Sequence, residues 1–172
     1  MNKTMLEREC IEEIRRWRDE VRLVDEGQVV FVPTMGALHD GHASLISQAK
    51  SLGRYVVVSI FVNRFQFNDP QDYENYPDTR VEDLNVCRDL GVDLVFMPKH
   101  AQMYPEEPLT SISVERLSQH LCGSSRPGHF DGVGIVVSKL LNIVEPDIAV
   151  FGEKDLQQLQ IVRRIVRDLS MT

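Results

Sequence analysis

Two histidines, His39 and His42, bracket Asp40 and Gly41 just after the run Phe31-Val32-Pro33-Thr34-Met35-Gly36-Ala37-Leu38. An imidazole donates a hydrogen bond to a phosphate oxygen, and does so more strongly when protonated. The apolar residues Val29 to Val32 read as a buried strand, and a helix is predicted to open at about Gly41. A helix start collects unpaired backbone N–H groups and a partial positive charge, so it attracts phosphate. Gly36 and Gly41 remove side chains where a ligand needs close approach to the backbone. An isolated His-x-x-His is ordinarily a pair of surface or capping residues. Its position after an apolar strand and among glycines raises phosphate binding above that reading. Histidine also ligates zinc, but the absence of a nearby cysteine or third histidine points away from a metal set.

Four further groups could do chemistry. Lys154 lies in Gly152-Glu153-Lys154-Asp155, where an apolar run ends and a helix begins. A lysine there opposes the helix dipole, and a phosphate ligand would explain it; pairing with Glu153 or Asp155 explains it equally well. Gln66, Gln157 and Gln158 each offer a donor and an acceptor, which suits a ligand carrying a carboxylate and a hydroxyl, although loop amides more often bond backbone. Arg126-Pro127-Gly128-His129-Phe130 supplies charge to an anion or forms a rigid turn. Asp83 could hold Mg2+ together with water and phosphates, but as a first-turn acid it more simply serves the helix dipole. There is no Gly-x-x-x-x-Gly-Lys-Ser/Thr, no Gly-x-Gly-x-x-Gly after the first strand and no nucleophile elbow.

These residues need a scaffold. Leu6 to Val24 predicts an amphipathic helix with Ile11, Ile14, Trp17, Val21 and Leu23 on one side, stopped by Asp25-Glu26-Gly27. Helices are predicted over His42 to Leu52, from a Thr79 cap to Leu90, over Gly134 to Val144, and from Asp155 to Leu169. Strands are predicted at Val29 to Val32, Tyr55 to Val62, Val92 to Met97 and Asp147 to Phe151, with a short edge strand at Ser111 to Val114 and a short helix at Glu115 to Cys122. Pro98 to Pro108 and Gly123 to Gly132 read as loops. Strands alternating with helices define an α/β fold with a doubly wound parallel sheet of Rossmann-like type. In such a sheet ligands sit beyond the C-terminal strand ends, and His39 to His42, Asn63 to Gln66 and Gly152 to Asp155 all leave such ends.

The 172 residues suit one domain, and 42% apolar with 26% charged content suits a globular protein with a real core. A net charge of -7 disfavours nucleic-acid binding but leaves room for a local basic site. Three widely spaced cysteines suggest free thiols in a cytoplasmic protein. No apolar run reaches the length of a membrane span, and the first residues lack the apolar stretch of a signal peptide.

Pro-Thr-Met-Gly-Ala-Leu-His-Asp-Gly-His at 33 to 42, Asn63 with Gln66-Phe67, Ser125 to Phe130, and Gly-Glu-Lys-Asp-Leu-Gln-Gln at 152 to 158 together resemble the pantothenate synthetase (pantoate–β-alanine ligase) family. The His-x-Gly-His step is shared with the wider nucleotidyltransferase superfamily. The resemblance implies an ATP-dependent ligase that forms pantoyl adenylate, releases pyrophosphate, and joins the acyl group to β-alanine. It implies an ATP site over Met35, Gly36, Ala37, Leu38, His39, Asp40, Gly41 and His42 and over Gly152, Glu153, Lys154 and Asp155. His42 is then the proton donor, His39 a phosphate contact and Lys154 a third catalytic group. Gln66 and Gln158 bind pantoate, with Gln66 also near β-alanine. Asn63, Arg126 and His129 line the site, and Asp83 is associated with Mg2+. A homodimer is implied.

Three departures carry expectations. Arg64 stands where the family has proline, which should loosen its loop and favour anionic substrates. Asp78 stands where arginine is usual. The family continues into a smaller domain that closes over the ATP phosphates, so residues 1–172 alone are expected to bind ATP and pantoate and to turn over weakly or not at all. Two rival readings are a nucleotidyltransferase such as phosphopantetheine adenylyltransferase and a binding domain without turnover. The glutamine pair and the Gly-Glu-Lys-Asp segment favour the ligase.

Overall fold

A computed structural model describes residues 4–24, 27–118, 120 and 122–171. Among the described residues, five strands form one all-parallel sheet in the order β1-β4-β3-β2-β5: β1 (Leu6–Arg8), β2 (Val29–Thr34), β3 (Tyr55–Ile60), β4 (Leu94–Phe96) and β5 (Ile148–Ala149). The helices are α1 (Ile11–Val24), α2 (Asp40–Leu52), α3 (Pro70–Glu74), α4 (Arg80–Asp89), α5 (His100–Met103), α6 (Cys122–Ser125), α7 (His129–Val144) and α8 (Leu156–Asp168). Single 3-10 turns occupy Arg64–Gln66 and Glu153–Asp155.

Alternation along the central strands splits the core in two. Val29, Phe31, Tyr55, Val57, Leu94 and Phe96 pack with Ile14 and Trp17 of α1 and the apolar faces of α7 and α8. Val30, Val32, Val56, Val58 and Val95 pack on the other face with Ile46 and Ala49 of α2 and Cys87 of α4. Because both faces are covered, the strands read as continuous apolar runs. Carboxylates start two of them: the Val29 N–H donates to Asp147 Oδ2 at 2.7 Å and the Val56 N–H to Asp93 Oδ2 at 2.8 Å.

Chain direction fixes where a ligand can sit. From β2 the chain passes through α2 on one face to β3, whereas α7, on the opposite face, delivers it to β5 on the other side of β2. The crevice of this doubly wound sheet therefore opens beyond the C-terminal ends of β2 and β5. The loops that leave those ends carry His39 to His42 and Gly152 to Asp155.

Several expectations change. Leu6 to Arg8 is an edge strand paired with Leu94 to Phe96, not the first turn of α1. Its Glu7 and Arg8 suit an edge, where charges discourage further pairing. Leu23 is 87% exposed, so α1 presents only Ile14 and Trp17 as fully buried anchors. The expected stop at Asp25-Glu26 lies outside the described residues. Ser111 to Val114 joins no sheet, and Glu115 to Ser118 forms turns with Arg116 at φ 68 instead of a helix; Gln119 and Leu121 lie outside the described residues. Helix α7 starts at His129, five residues before the predicted Gly134. Gly128, with φ 79, supplies the left-handed residue that launches it.

Candidate active site

The turn after β2 is locked from inside the protein. The Thr34 hydroxyl donates to the Ser59 carbonyl at 2.7 Å and accepts from the Gly36 N–H at 3.2 Å. Gly36 (φ 87) and Ala37 (φ 50) are both left-handed, which turns successive N–H groups to one side. The acceptor they meet is the Asp83 carboxylate: Ala37 N–H reaches Oδ2 at 3.0 Å and Leu38 N–H reaches Oδ1 at 2.7 Å. The Thr79 hydroxyl also donates to Asp83 Oδ2 at 3.0 Å and accepts from Ala37 N–H at 3.1 Å. Asp83 is only 2% exposed and both its oxygens serve this turn. The structure thus gives Asp83 a positioning role for the Met35 to Leu38 segment, and Thr79, expected only as a helix cap, shares it.

The glycines answer to the same packing. A Cβ on Gly36 would lie 2.9 Å from Asp83 Oδ2, and one on Gly41 would lie 2.8 Å from Cε1 of His39. Packing against Asp83 and His39 is therefore by itself a reason for glycine at both positions.

Helix α2 begins with a reciprocal cap made of imidazoles. His39 Nδ1 accepts from Gly41 N–H at 3.0 Å, and His42 Nδ1 accepts from His39 N–H at 3.3 Å. As Nδ1 is the acceptor in each ring, the neutral tautomer carries its proton on Nε2, the atom available to a ligand. The rings lie 4.2 Å apart. Burial pushes the His42 pKa below its ordinary value, the His39 and Lys154 charges add to that, and Asp83 opposes it. His42 is therefore poised as a neutral Nε2–H donor beside Lys154. Among the described residues no carboxylate pairs with the Lys154 ammonium, so the pairing with Glu153 or Asp155 is not what places it.

A cavity of about 460 Å³ opens at this rim, lined by Met35, Gln66, Arg126, His129, Lys154 and Gln158 among others. Gln66 is 8% exposed; its Nε2 donates to Met35 Sδ at 2.7 Å. Two contacts hold its turn against α7. His129 Nδ1 donates to the Gln66 carbonyl at 2.6 Å, and the buried Asn63 Nδ2 donates to the Gly132 carbonyl at 3.0 Å. Gly132 permits this approach, because a Cβ there would lie 2.1 Å from the Phe65 carbonyl oxygen. Burial lowers the His129 pKa while its bond to Gln66 raises it.

Some predicted residues point elsewhere. Gln157 lines the cavity, but its amide is spent on the Leu117 and His120 carbonyls and the Cys122 N–H, so it fastens the preceding loop. Glu153 lines a groove beside β5 instead of this cavity. Arg64 lies 4.6 Å over the Phe65 ring and pairs with Glu107, so its charge is spent outside the cavity and its turn is held without proline. Cys122 and Leu156 line the cavity although no sequence signal marks them. Among the described residues no group of three His, Cys, Asp or Glu side chains forms a metal cage.

An α/β sheet with imidazoles, an ammonium group and carboxamides at the crevice beyond β2 and β5 defines a nucleotidyltransferase-like domain. Comparison with known proteins narrows that class. The family model described as Pantoate-beta-alanine ligase matches residues 8–172, and the chain belongs to that family. It is 58% identical over 142 residues to the pantothenate synthetase of Pelobacter propionicus, covering 83% of this chain and 50% of that protein. It is 57% identical over 145 residues to that of Acidothermus cellulolyticus, covering 84% and 48%. The chain thus spans about half the length of the curated relatives it matches. The Francisella tularensis pantoate-beta-alanine ligase, solved with beta-gamma ATP and beta-alanine, superposes with a TM-score of 0.94 at 41% identity, over 98% of this chain and 64% of that one. The Thermus thermophilus pantothenate synthetase gives 0.89 at 43%, over 97% and 59%.

Proposed function

We propose that this chain carries the substrate-binding and adenylating half of an ATP-dependent pantoate–β-alanine ligase. The carrying observation is the cavity that gathers Met35, Gln66, Lys154 and Gln158 from three separate segments. Gln66 and Gln158 hold pantoate by its carboxylate and hydroxyls. The ATP phosphates lie at the start of α2 and toward Lys154, and Mg2+ arrives with ATP as part of that substrate.

The pantoate carboxylate attacks the α-phosphorus. A carboxylate O–P bond forms, the bond to the bridging oxygen breaks, and pyrophosphate leaves with the electron pair. No protein nucleophile is needed; the protein holds the reactants in line and stabilises charge on the phosphoryl oxygens. His42 Nε2–H, His39 Nε2–H and the Lys154 ammonium are the donors for that charge. The neutral amine of β-alanine then attacks the acyl carbon, the bond from that carbon to the phosphate oxygen breaks so that AMP leaves with the electron pair, and the nitrogen gives up one proton to the departing phosphate or solvent, leaving the amide of pantothenate. A cytoplasmic homodimer is part of this reading.

Calorimetric titration tests it. ATP and pantoate should each bind, and Gln158→Ala should weaken pantoate at least about tenfold while leaving ATP affinity within about twofold. Failure of pantoate to bind, or an equal loss for both ligands, would overturn the assignment.

A further inference from the structure

His129 is the first residue of α7, and its surroundings fix the state of its ring. Nδ1 lies 2.6 Å from the Gln66 carbonyl oxygen, which can only accept, so Nδ1 carries a proton. Burial and the charge of Arg126 favour the neutral ring, against the Gln66 bond and Asp155. A neutral imidazole protonated at Nδ1 keeps a lone pair at Nε2. Among the described residues no hydrogen bond engages that nitrogen, and the half-buried ring lines the cavity that holds Gln66 and Gln158.

That cavity is rich in donors and short of free acceptors. Arg126 and Lys154 only donate, which suits the anionic oxygens of a ligand. Gln66 Oε1 already accepts from Asn63 Nδ2 at 3.4 Å, and Gln157 spends its amide on the preceding loop. Asp155 accepts, but as an anion it repels a carboxylate ligand. Among the described residues His129 Nε2 and Gln158 Oε1 are the uncharged acceptors left to the cavity. A ligand that carries both a carboxylate and a hydroxyl needs such an acceptor for its hydroxyl hydrogen.

We infer that His129 is a specificity-determining residue: its Nε2 accepts a hydroxyl hydrogen of pantoate, and this bond selects the hydroxy acid over the same skeleton without that hydroxyl. The inference rests on the ligase reading above, which puts pantoate in this cavity. A ligand lacking the hydroxyl strands a desolvated ring nitrogen, and a site built around such a group rejects the analogue. One ring thus does two jobs. Its Nδ1–H holds the turn that carries Gln66, and its Nε2 reads the substrate.

His129→Asn separates the two jobs. An asparagine amide N–H can replace Nδ1–H at the Gln66 carbonyl, but the shorter side chain leaves the Nε2 position empty. NMR titration of this chain, followed at the Gln158 amide, gives dissociation constants for pantoate and for two analogues that each lack one of its hydroxyls. His129→Asn should weaken pantoate roughly tenfold, weaken the analogue lacking the contacted hydroxyl by less than about twofold, and leave ATP-induced shifts at Lys154 unchanged. In the unsubstituted chain, where folding of the variant is not at issue, pantoate should move the His129 Nε2 nitrogen resonance toward the hydrogen-bonded range and that analogue should not. Unchanged pantoate affinity in a folded variant, an equal loss for pantoate and both analogues, or an Nε2 resonance that stays put while pantoate moves Gln158 would each overturn the inference. Failure of the ligase reading looks different: pantoate would then leave the Gln158 amide of the unsubstituted chain unmoved.

Discussion

Asp83 shows how much one buried carboxylate can organise. It stands in the first turns of α4 yet terminates two N–H groups of a loop that follows a different strand. Asp83→Ala leaves the Leu38 N–H without its acceptor and the Ala37 N–H with only the Thr79 hydroxyl, in a turn where Ala37 already sits at φ 50. The expected cost is about 2–4 kcal/mol of stability, read from urea unfolding, and Asp83→Asn should recover part of it by keeping one acceptor. His42 makes a second prediction. Its pKa lies below the ordinary histidine value of 6.5 chiefly through burial. A phosphate placed at Nε2 favours the charged ring, so ATP should raise the His42 pKa in an NMR titration. A pKa unmoved by ATP would separate His42 from the phosphates.

At the scale of elements, the turn at Arg64–Gln66 depends on α7. Gly132→Ala should push that turn off the helix, destabilise the fold by about 1–3 kcal/mol and weaken pantoate binding more than ATP binding, as calorimetry would read. The same contact shows what was legible beforehand. The central strands were plain because covered strands are apolar throughout, and the motif residues marked the rim because their types suit phosphate and carboxylate. The start of α7 was hidden because Gly128 and Gly132 read as loop punctuation, whereas Gly132 is a packing contact and Gly128 a left-handed start. Strand β1 was hidden because its pairing partner lies far along the chain. The job of Asp83 was hidden for the same reason: nothing local to α4 says that its acceptors serve residues 37 and 38.

For the whole molecule, burial places a common pH dependence on the fold. His42, His100 and His129 all have pKa values lowered chiefly by burial. The folded state favours their neutral forms, so the unfolded chain takes up protons first as pH falls below about 6.5. Stability from these groups is complete above that pH and is lost as pH drops toward the folded-state values. Thermal midpoints measured between pH 8 and 5 should therefore stay level and then decline below about 6.5. A midpoint that rises on acidification would contradict the sign.

We propose that the Lys154 ammonium, in one cavity with the Gln66 and Gln158 carboxamides, acts together with the His39 and His42 rings at the neighbouring start of α2. Exchange of labelled pyrophosphate into ATP tests it most directly, because it reports the adenylating step alone. The expected result is exchange that requires pantoate, proceeds without β-alanine, and falls at least about 100-fold in His42→Ala and Lys154→Ala. Exchange that ignores pantoate, or that survives both substitutions, would contradict the account.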